Sequence, residues 1–335
     1  MRFDADAKNA VTCTCFSYAS TAQNRSSTKS HLMKSLKRIL LSALFFSSIF
    51  ATSVYADERW YVSATANGMA GNYSDSELRD RFYSASAWLN VDYLDYYSVA
   101  LAYNNLRINF KGADAGEFDT GRFDITQDAF AGRFQYYFYN DTLAGKITTQ
   151  LVAHSITNDA RAAVAADAII IIAPKLAYMS YEKDLAMGLE YAWSDYSNNR
   201  SFIIQQLTPS IGFGFNQNND WIQIKAYLIT SSDKKLSQNE DSLASASIKW
   251  QHWFNPGPVF AAHNLFIDVL AGERIFAVDN ESFSVYNLED VQQGSVLLGL
   301  GWRPGEDFDI TAIAGVEKYN TYNREYLYIS LSKHW

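Results

Sequence analysis

Cysteine is all but absent from this 335-residue chain: Cys13 and Cys15 fall within the first 32 residues and none follows. Everything downstream therefore lacks a disulfide framework and a thiolate metal site. Long apolar runs are missing as well. No segment after residue 56 holds 18 consecutive apolar residues, so no helix there is apolar enough to span a bilayer. Basic charge is scarce. Residues 1–56 carry seven of the 28 Lys/Arg and two of the 36 Asp/Glu, which leaves 21 basic and 34 acidic side chains, a net of about −13. Such acidity excludes nucleic acid as a partner, since binding it needs a basic footprint.

Catalytic signatures are missing too. There is no Gly-x-Ser-x-Gly elbow. His154 and Ser155 are sequence neighbours, and neighbours on a strand point to opposite faces, so they form no nucleophile–base pair. His252 and His263 flank a turn with no third ligand or carboxylate at a suitable place, and His334 beside Trp335 reads as an interface residue. The acidic, glycine-bearing segment 109–122 lacks the spacing of an EF-hand and reads as a solvated loop. The expectation is a protein that is not an enzyme, with no cofactor and no metal.

What the chain does have is aromatic residues: 15% of the total, with 22 Tyr and 21 Phe, against 19% charged. That is too aromatic for disorder, while a mean hydropathy of −0.18 is too polar for a helical membrane protein. Strands that alternate lipid-facing apolar residues with polar ones facing inward satisfy both constraints.

At the front, Met33-Lys34-Ser35-Leu36-Lys37-Arg38 is a short basic segment, followed by an apolar core from Ile39 to Phe50 and then Thr52-Ser53-Val54-Tyr55-Ala56. This is the layout of a secretory signal peptide over 33–56, with cleavage expected between Ala56 and Asp57. The apolar core is too short for an anchor. Residues 1–32 read as an upstream extension, with translation starting at Met33.

From 57 to 335 the pattern has a period of two. Leu185, Met187, Leu189, Tyr191 and Trp193 alternate with Ala186, Gly188, Glu190 and Ala192. Ile222, Ile224, Ala226 and Leu228 share one side, opposite Gln223, Lys225 and Tyr227; Phe308, Ile310, Ala312, Ala314 and Val316 lie opposite Asp309, Thr311 and Glu317. The sequence predicts strands over 58–69, 81–92, 95–108, 125–139, 146–156, 168–181, 185–196, 201–216, 219–231, 240–254, 258–272, 288–303, 307–318 and 324–335, about fourteen in all, with 12 to 16 compatible. The fold class is all-β, an antiparallel up-and-down transmembrane barrel.

Connections alternate in length. Short ones with turn chemistry include Asp92 to Asp95, Asn140 to Gly145, Glu182 to Asp184, Gln217 to Asp220, Asn255-Pro256-Gly257-Pro258 and Pro304 to Asp307. Longer polar segments lie between them: Gly71 to Asp80, Asn109 to Arg122, Asn158 to Asp167, Ser231 to Asn239 and Asp279 to Asn287. Tyr93, Tyr96, Tyr97, Tyr136 to Tyr139, Trp250, Trp253, Phe254 and Trp302 cluster beside the short turns. Amphipathic rings there suit the boundary between hydrocarbon and headgroups.

The chain stops at Tyr326-Leu327-Tyr328-Ile329-Ser330-Leu331-Ser332-Lys333-His334-Trp335. A last strand with Tyr326, then Leu327, Ile329 and Leu331 on one side and terminal Trp335 resembles the assembly signal of the Gram-negative outer-membrane β-barrel superfamily, with Lys333 departing from the usual apolar residue. The resemblance is carried over 57–335 by pattern rather than motif; in size and strand number the chain looks like the monomeric fourteen-stranded channels. It implies export through the periplasm, recognition by the secretion and barrel-assembly machinery, residence in the outer membrane and contact with outer-membrane lipid.

Fourteen strands enclose more space than wall side chains fill, since about eight already give a packed interior. Water and an inward-folded outer loop are the expected contents. Alternation places Arg133, Lys175, Glu190, Lys225, Lys249, Asp268, Asp309 and Glu317 on the inner face, together with Gln135, Gln223, Ser247, Gln251 and Arg274. Bases come from middle strands and acids gather in the last ones, an arrangement that sets a transverse field. Tyr103, Tyr178 and Tyr227 are candidates for stacking on sugar rings. The reading is a monomeric, porin-like channel for small hydrophilic solutes, oligosaccharides or anions among them. Two alternatives are a non-conducting barrel with a structural, assembly or surface-polymer role, and a lipid hydrolase, which calls for about twelve strands and a Ser/His pair facing lipid.

Overall fold

The computed structural model describes residues 59–94, 96–111, 124–159, 168–197, 202–233, 241–254, 262–280, 284–285 and 290–335. The leader, with the expected cleavage point at Ala56 and Asp57, lies outside them. The strands are β1 (Trp60–Ser74), β2 (Arg79–Tyr93), β3 (Tyr97–Phe110), β4 (Asp124–Asn140), β5 (Gly145–Asp159), β6 (Ala168–Ser180), β7 (Leu185–Ser197) and β8 (Phe202–Phe215). They continue as β9 (Asp220–Ser231), β10 (Ser242–Trp253), β11 (Asn264–Arg274), the two-residue β12 (Val278–Asp279) and β13 (Ser284–Val285), β14 (Gln292–Gly305), β15 (Phe308–Tyr319) and β16 (Asn323–His334).

Fourteen of these form one closed barrel in which every strand pairs antiparallel with its sequence neighbours, and β16 returns to β1; β12 and β13 pair only with each other. Closure follows from solvation. In hydrocarbon no water meets an unpaired N–H or C=O, so the sheet can have no edge. The seam runs without interruption from Ser63 opposite His334 to Ser74 opposite Asn323.

Short connections gather at one end, which also holds the start of β1 and Trp335, whose N–H donates to the Val62 carbonyl. These turns use left-handed backbone at Leu94, Ala144, Lys183 and the run Asn216-Gln217-Asn218. At the other end the strands reach further than the sequence pattern marks. β1 continues to Ser74 and β2 starts at Arg79, so the expected long segment from Gly71 to Asp80 shrinks to four residues. Beyond the Asn255-Pro-Gly-Pro turn, whose residues 255–261 lie outside the described ones together with the expected strand start at 258, His263 already bonds to Phe254 and Gly301 and β11 runs from Asn264.

Alternation divides the wall as the two-residue rhythm requires. Leu101, Phe130, Leu151, Ile170, Leu189, Ile248, Val296 and Leu327 are exposed on the outside, while Ala100, Val152, Ile171, Ala192 and Ile229 point inward and are buried.

Candidate functional site

The inner surface changes character along its height. Toward the long-loop end it is apolar, with Ile156 on β5, Ile169 and Ile171 on β6, Tyr196 on β7, Phe202 and Ile204 on β8, and Leu243 on β10. Apolar walls around a wide lumen are stable only if something apolar covers them. The chain between β11 and β14 does so. Ile275, Phe276, Ala277 and Val278 enter the barrel and join that cluster at 2% exposure or less.

The departure from the wall is built into the ladder. Register shifts occur between Ala271 and Arg274 on β11 and between Gln292 and Gly294 on β14. Gly272 sits there at φ +100°, where a Cβ would stand 2.6 Å from the Ala244 carbonyl oxygen, so no other residue fits. Phe276 also takes a left-handed φ, 51°, and is held by rings: its centroid lies 5.0 Å from Tyr196 and 5.2 Å from Phe202. Gln206 then mimics a strand partner. Its Nε2 donates to the Val278 carbonyl at 2.8 Å and its Oε1 accepts from the Val278 N–H at 3.0 Å. Asn280 Oδ1 meets His154 Nε2 at 2.8 Å. On the return, Asp290 accepts from Arg79 at 2.5 Å and from the Tyr322 hydroxyl at 3.1 Å.

This segment lies against β5 to β10 and leaves a cavity of about 410 Å³ beside it. Lys225, Lys249, Asp268, Arg274, Asp279 and Arg324 supply charge to its lining. A second aromatic group closes the far side near the long-loop end: Tyr73, Phe82, Ile108, Tyr319 and Tyr322 are buried together. Arg79 stacks on Tyr73 and Tyr322, and Arg324 lies over Phe82, Tyr319 and Tyr326.

The outside completes the physical description. The exposed apolar belt ends, beside the short turns, in a girdle where Trp60 meets Tyr93 at 4.7 Å, Tyr93 stacks on Tyr97 at 5.2 Å and Tyr136 meets Phe138 at 4.6 Å. No protein-family model and no curated protein matches this sequence. Solved structures do. The TodX deltaS2S3 mutant, a monoaromatic hydrocarbon channel, superposes at a TM-score of 0.51 and 12% identity, covering 84% of this chain and 92% of that one. The P. putida toluene transporter TodX gives 0.50 at 10% identity, over 84% and 91%. CdiB from Escherichia coli aligns at 0.45 and 11% identity over 84% of this chain, which spans 64% of CdiB's length. At these identities the likeness is one of fold. The chain has the fold of the outer-membrane β-barrels.

In outer-membrane barrels the end with the short turns faces the periplasm. Five of the eight charged residues expected inside come together. Lys175, Glu190, Lys225, Lys249 and Asp268 each lie four or five residues in from the short-turn end of β6, β7, β9, β10 and β11, and so form a band at one depth. Lys175 faces Glu190 across the β6–β7 pair and Lys249 faces Asp268 across β10–β11. The other three stand apart. Arg133 reaches Asn90 at 3.3 Å, Asp309 holds Arg303 and His334 at 2.7 and 3.0 Å at the short-turn mouth, and Glu317 pairs with Arg324 at 2.5 Å nearer the other end. His334 is thus a lumen-rim partner of Asp309, whereas Lys333 on the outer face lies over the Trp335 ring at 5.8 Å.

Two expectations need correction. Of the three tyrosines named for sugar stacking, only Tyr227 lines the cavity; Tyr103 and Tyr178 share the outward faces of β3 and β6 with Leu101 and Leu176. His252 does have a carboxylate: Asp220, from the neighbouring strand, meets His252 Nδ1 at 2.8 Å and accepts from Trp250 Nε1 at 3.1 Å. This knot sits in the aromatic girdle beside the short turns, and pairing of β9 with β10, not sequence distance, creates it.

Sequence reasoning passed over Gln206, Asp279, Asn280, Asp290 and Gln292. One signal was available. Ile275-Phe276-Ala277-Val278 is an apolar run placed where an outer loop should be polar, and apolar residues in a loop need a surface to cover.

Proposed function

We propose that this barrel is a channel through which small hydrophilic solutes cross the outer membrane by diffusion. The observation that carries the reading is the 410 Å³ cavity beside the infolded segment, lined by charged side chains from β9 to β16 and that segment and by small polar and apolar ones from β1 to β5. A barrel with a purely structural task gains nothing from keeping ionic groups in its interior, where each costs desolvation unless water or a solute meets it. The charge band and the remaining inner-face residues Arg133, Asp309 and Glu317 set ion preference, and the segment 275–280 narrows the path. The fold likeness to a hydrocarbon channel and a toluene transporter is compatible with transport as the general task. Outer-membrane lipid surrounds the barrel, the secretion and barrel-assembly machinery delivers it through the signal of Tyr326 to Trp335, and it works as a monomer.

Single-channel recording of refolded 57–335 in planar bilayers tests this. Discrete, ohmic opening steps are expected. Insertion without any conductance rejects the channel and favours the non-conducting alternative.

A further inference from the structure

The outer face of the barrel carries an ionisable pair at the edge of its apolar belt. Alternation puts Asp220 on the same side of β9 as Ile222 and Ile224, and His252 on the same side of β10 as Ile248 and Trp250. Ile224 and Ile248 are exposed on that side, whereas Lys225 and Lys249 on the other line the cavity. The strand neighbours of the pair are apolar: Phe215 lies opposite Asp220 on β8 and Leu265 opposite His252 on β11. The adjoining connections 216–219 and 255–261 contain no ionisable residue. Glu182, Lys183 and Asp184 belong to the next turn, which Asn218 Nδ2 ties in by donating to the Glu182 carbonyl at 2.7 Å.

A carboxylate on a lipid-facing surface is costly unless donors surround it. Asp220 has three: Asn216 Nδ2 and His252 Nδ1 at 2.8 Å each, and Trp250 Nε1 at 3.1 Å. An ionised carboxylate only accepts, so Nδ1 carries the imidazole hydrogen and the neutral ring keeps its lone pair on Nε2. That nitrogen meets no partner among the described residues, and the His252 side chain is 27% exposed. Trp250 and Phe254 flank the ring at centroid distances of 6.1 and 4.8 Å. An open acceptor, backed by a carboxylate and flanked by two aromatic rings, suits a cation that can donate an N–H.

We infer that the Asp220–His252 pair is a binding site for one phospholipid whose headgroup ends in a primary ammonium. The ammonium donates to His252 Nε2, Asp220 behind the ring supplies the counter-charge, and an acyl chain lies along Ile222, Ile224 and Ile248. The occupant is a lipid and not a soluble amine because the pair stands in the aromatic girdle, the depth at which headgroups meet a barrel wall. The inference rests on the membrane placement of the barrel and not on conduction.

Native mass spectrometry of the refolded protein tests this, from micelles holding equal amounts of phosphatidylethanolamine, phosphatidylcholine and phosphatidylglycerol with identical acyl chains. One phosphatidylethanolamine per barrel is expected, retained at least about tenfold more than phosphatidylcholine, which keeps the phosphate and the positive charge but has no N–H to give. His252→Phe leaves an aromatic ring in the girdle and removes the acceptor. It should bring that ratio to within about twofold while the gel-mobility difference between unheated and boiled samples persists. Equal retention of the two lipids by the unmodified protein, or an undiminished preference in a folded His252→Phe barrel, overturns the site. So does a preference for phosphatidylglycerol, which would mark the ring as an imidazolium that reads phosphate. If His252→Phe does not fold, the comparison of lipids on the unmodified protein decides alone. A barrel that keeps the preference but carries no current retains the site and loses the channel.

Discussion

Gln206 is the residue on which the interior arrangement turns. It is 1% exposed and makes two hydrogen bonds to the backbone of Val278, 72 positions away. Gln206→Leu keeps the volume but strands the Val278 N–H and C=O in an apolar lumen, at a cost of about 1–3 kcal/mol for each group. The infolded segment should detach, and single-channel conductance should rise or become noisy; an unaltered current trace would show that Gln206 is not a fastener. Lys249 tests the charge band. Lys249→Glu replaces a cation of the band with an anion, so the reversal potential in a salt gradient should move toward cation preference. No movement would mean that ions pass elsewhere.

Among the elements, the seam and the infolded segment have different kinds of stability. The β1–β16 seam is backbone pairing without interruption, and its energy is shared with every other ladder of the closed sheet. Ile329 pairs with Gly68 on one side and Ala312 on the other. Ile329→Pro removes an N–H that hydrocarbon cannot replace, so the refolded protein should lose the gel-mobility difference between unheated and boiled samples, whereas Ile329→Val should keep it. The infolded segment depends instead on side chains. Phe276, at a left-handed φ, is retained by Tyr196 and Phe202, and burying such a ring contributes on the order of 2–3 kcal/mol, enough to offset a backbone strain of about 1–3 kcal/mol. Such a segment can be released without opening the barrel.

Taken as a whole, the molecule has two solvents, and position relative to them decides the effect of a charge. Val296 is 54% exposed on the outer face of β14. Val296→Arg should destabilise the barrel by about 2–4 kcal/mol near the bilayer midplane, read as a lower urea midpoint for unfolding from liposomes. The same residue type introduced at Gln223, which is half-buried and lines the cavity, should leave that midpoint within about 1 kcal/mol, since a charge there meets water and not hydrocarbon. If both variants unfold alike, the assignment of faces is wrong.

The two-residue alternation by itself determined the strands, their number, the closed antiparallel sheet and which face meets lipid, because in a bilayer those features follow from backbone solvation and side-chain parity alone. It also marked the charged band, since Lys175, Glu190, Lys225, Lys249 and Asp268 need only the right parity to face inward. What fills the lumen was decided by tertiary structure. The contacts of Val278 with Gln206, Asn280 with His154, and Asp290 with Arg79 join an aperiodic segment to single inward residues on distant strands, and such pairings leave no rhythm in the chain. The sequence could show four apolar residues at 275–278 without a partner; only the curvature of fourteen strands, wider than their own side chains can fill, supplied the surface that they cover.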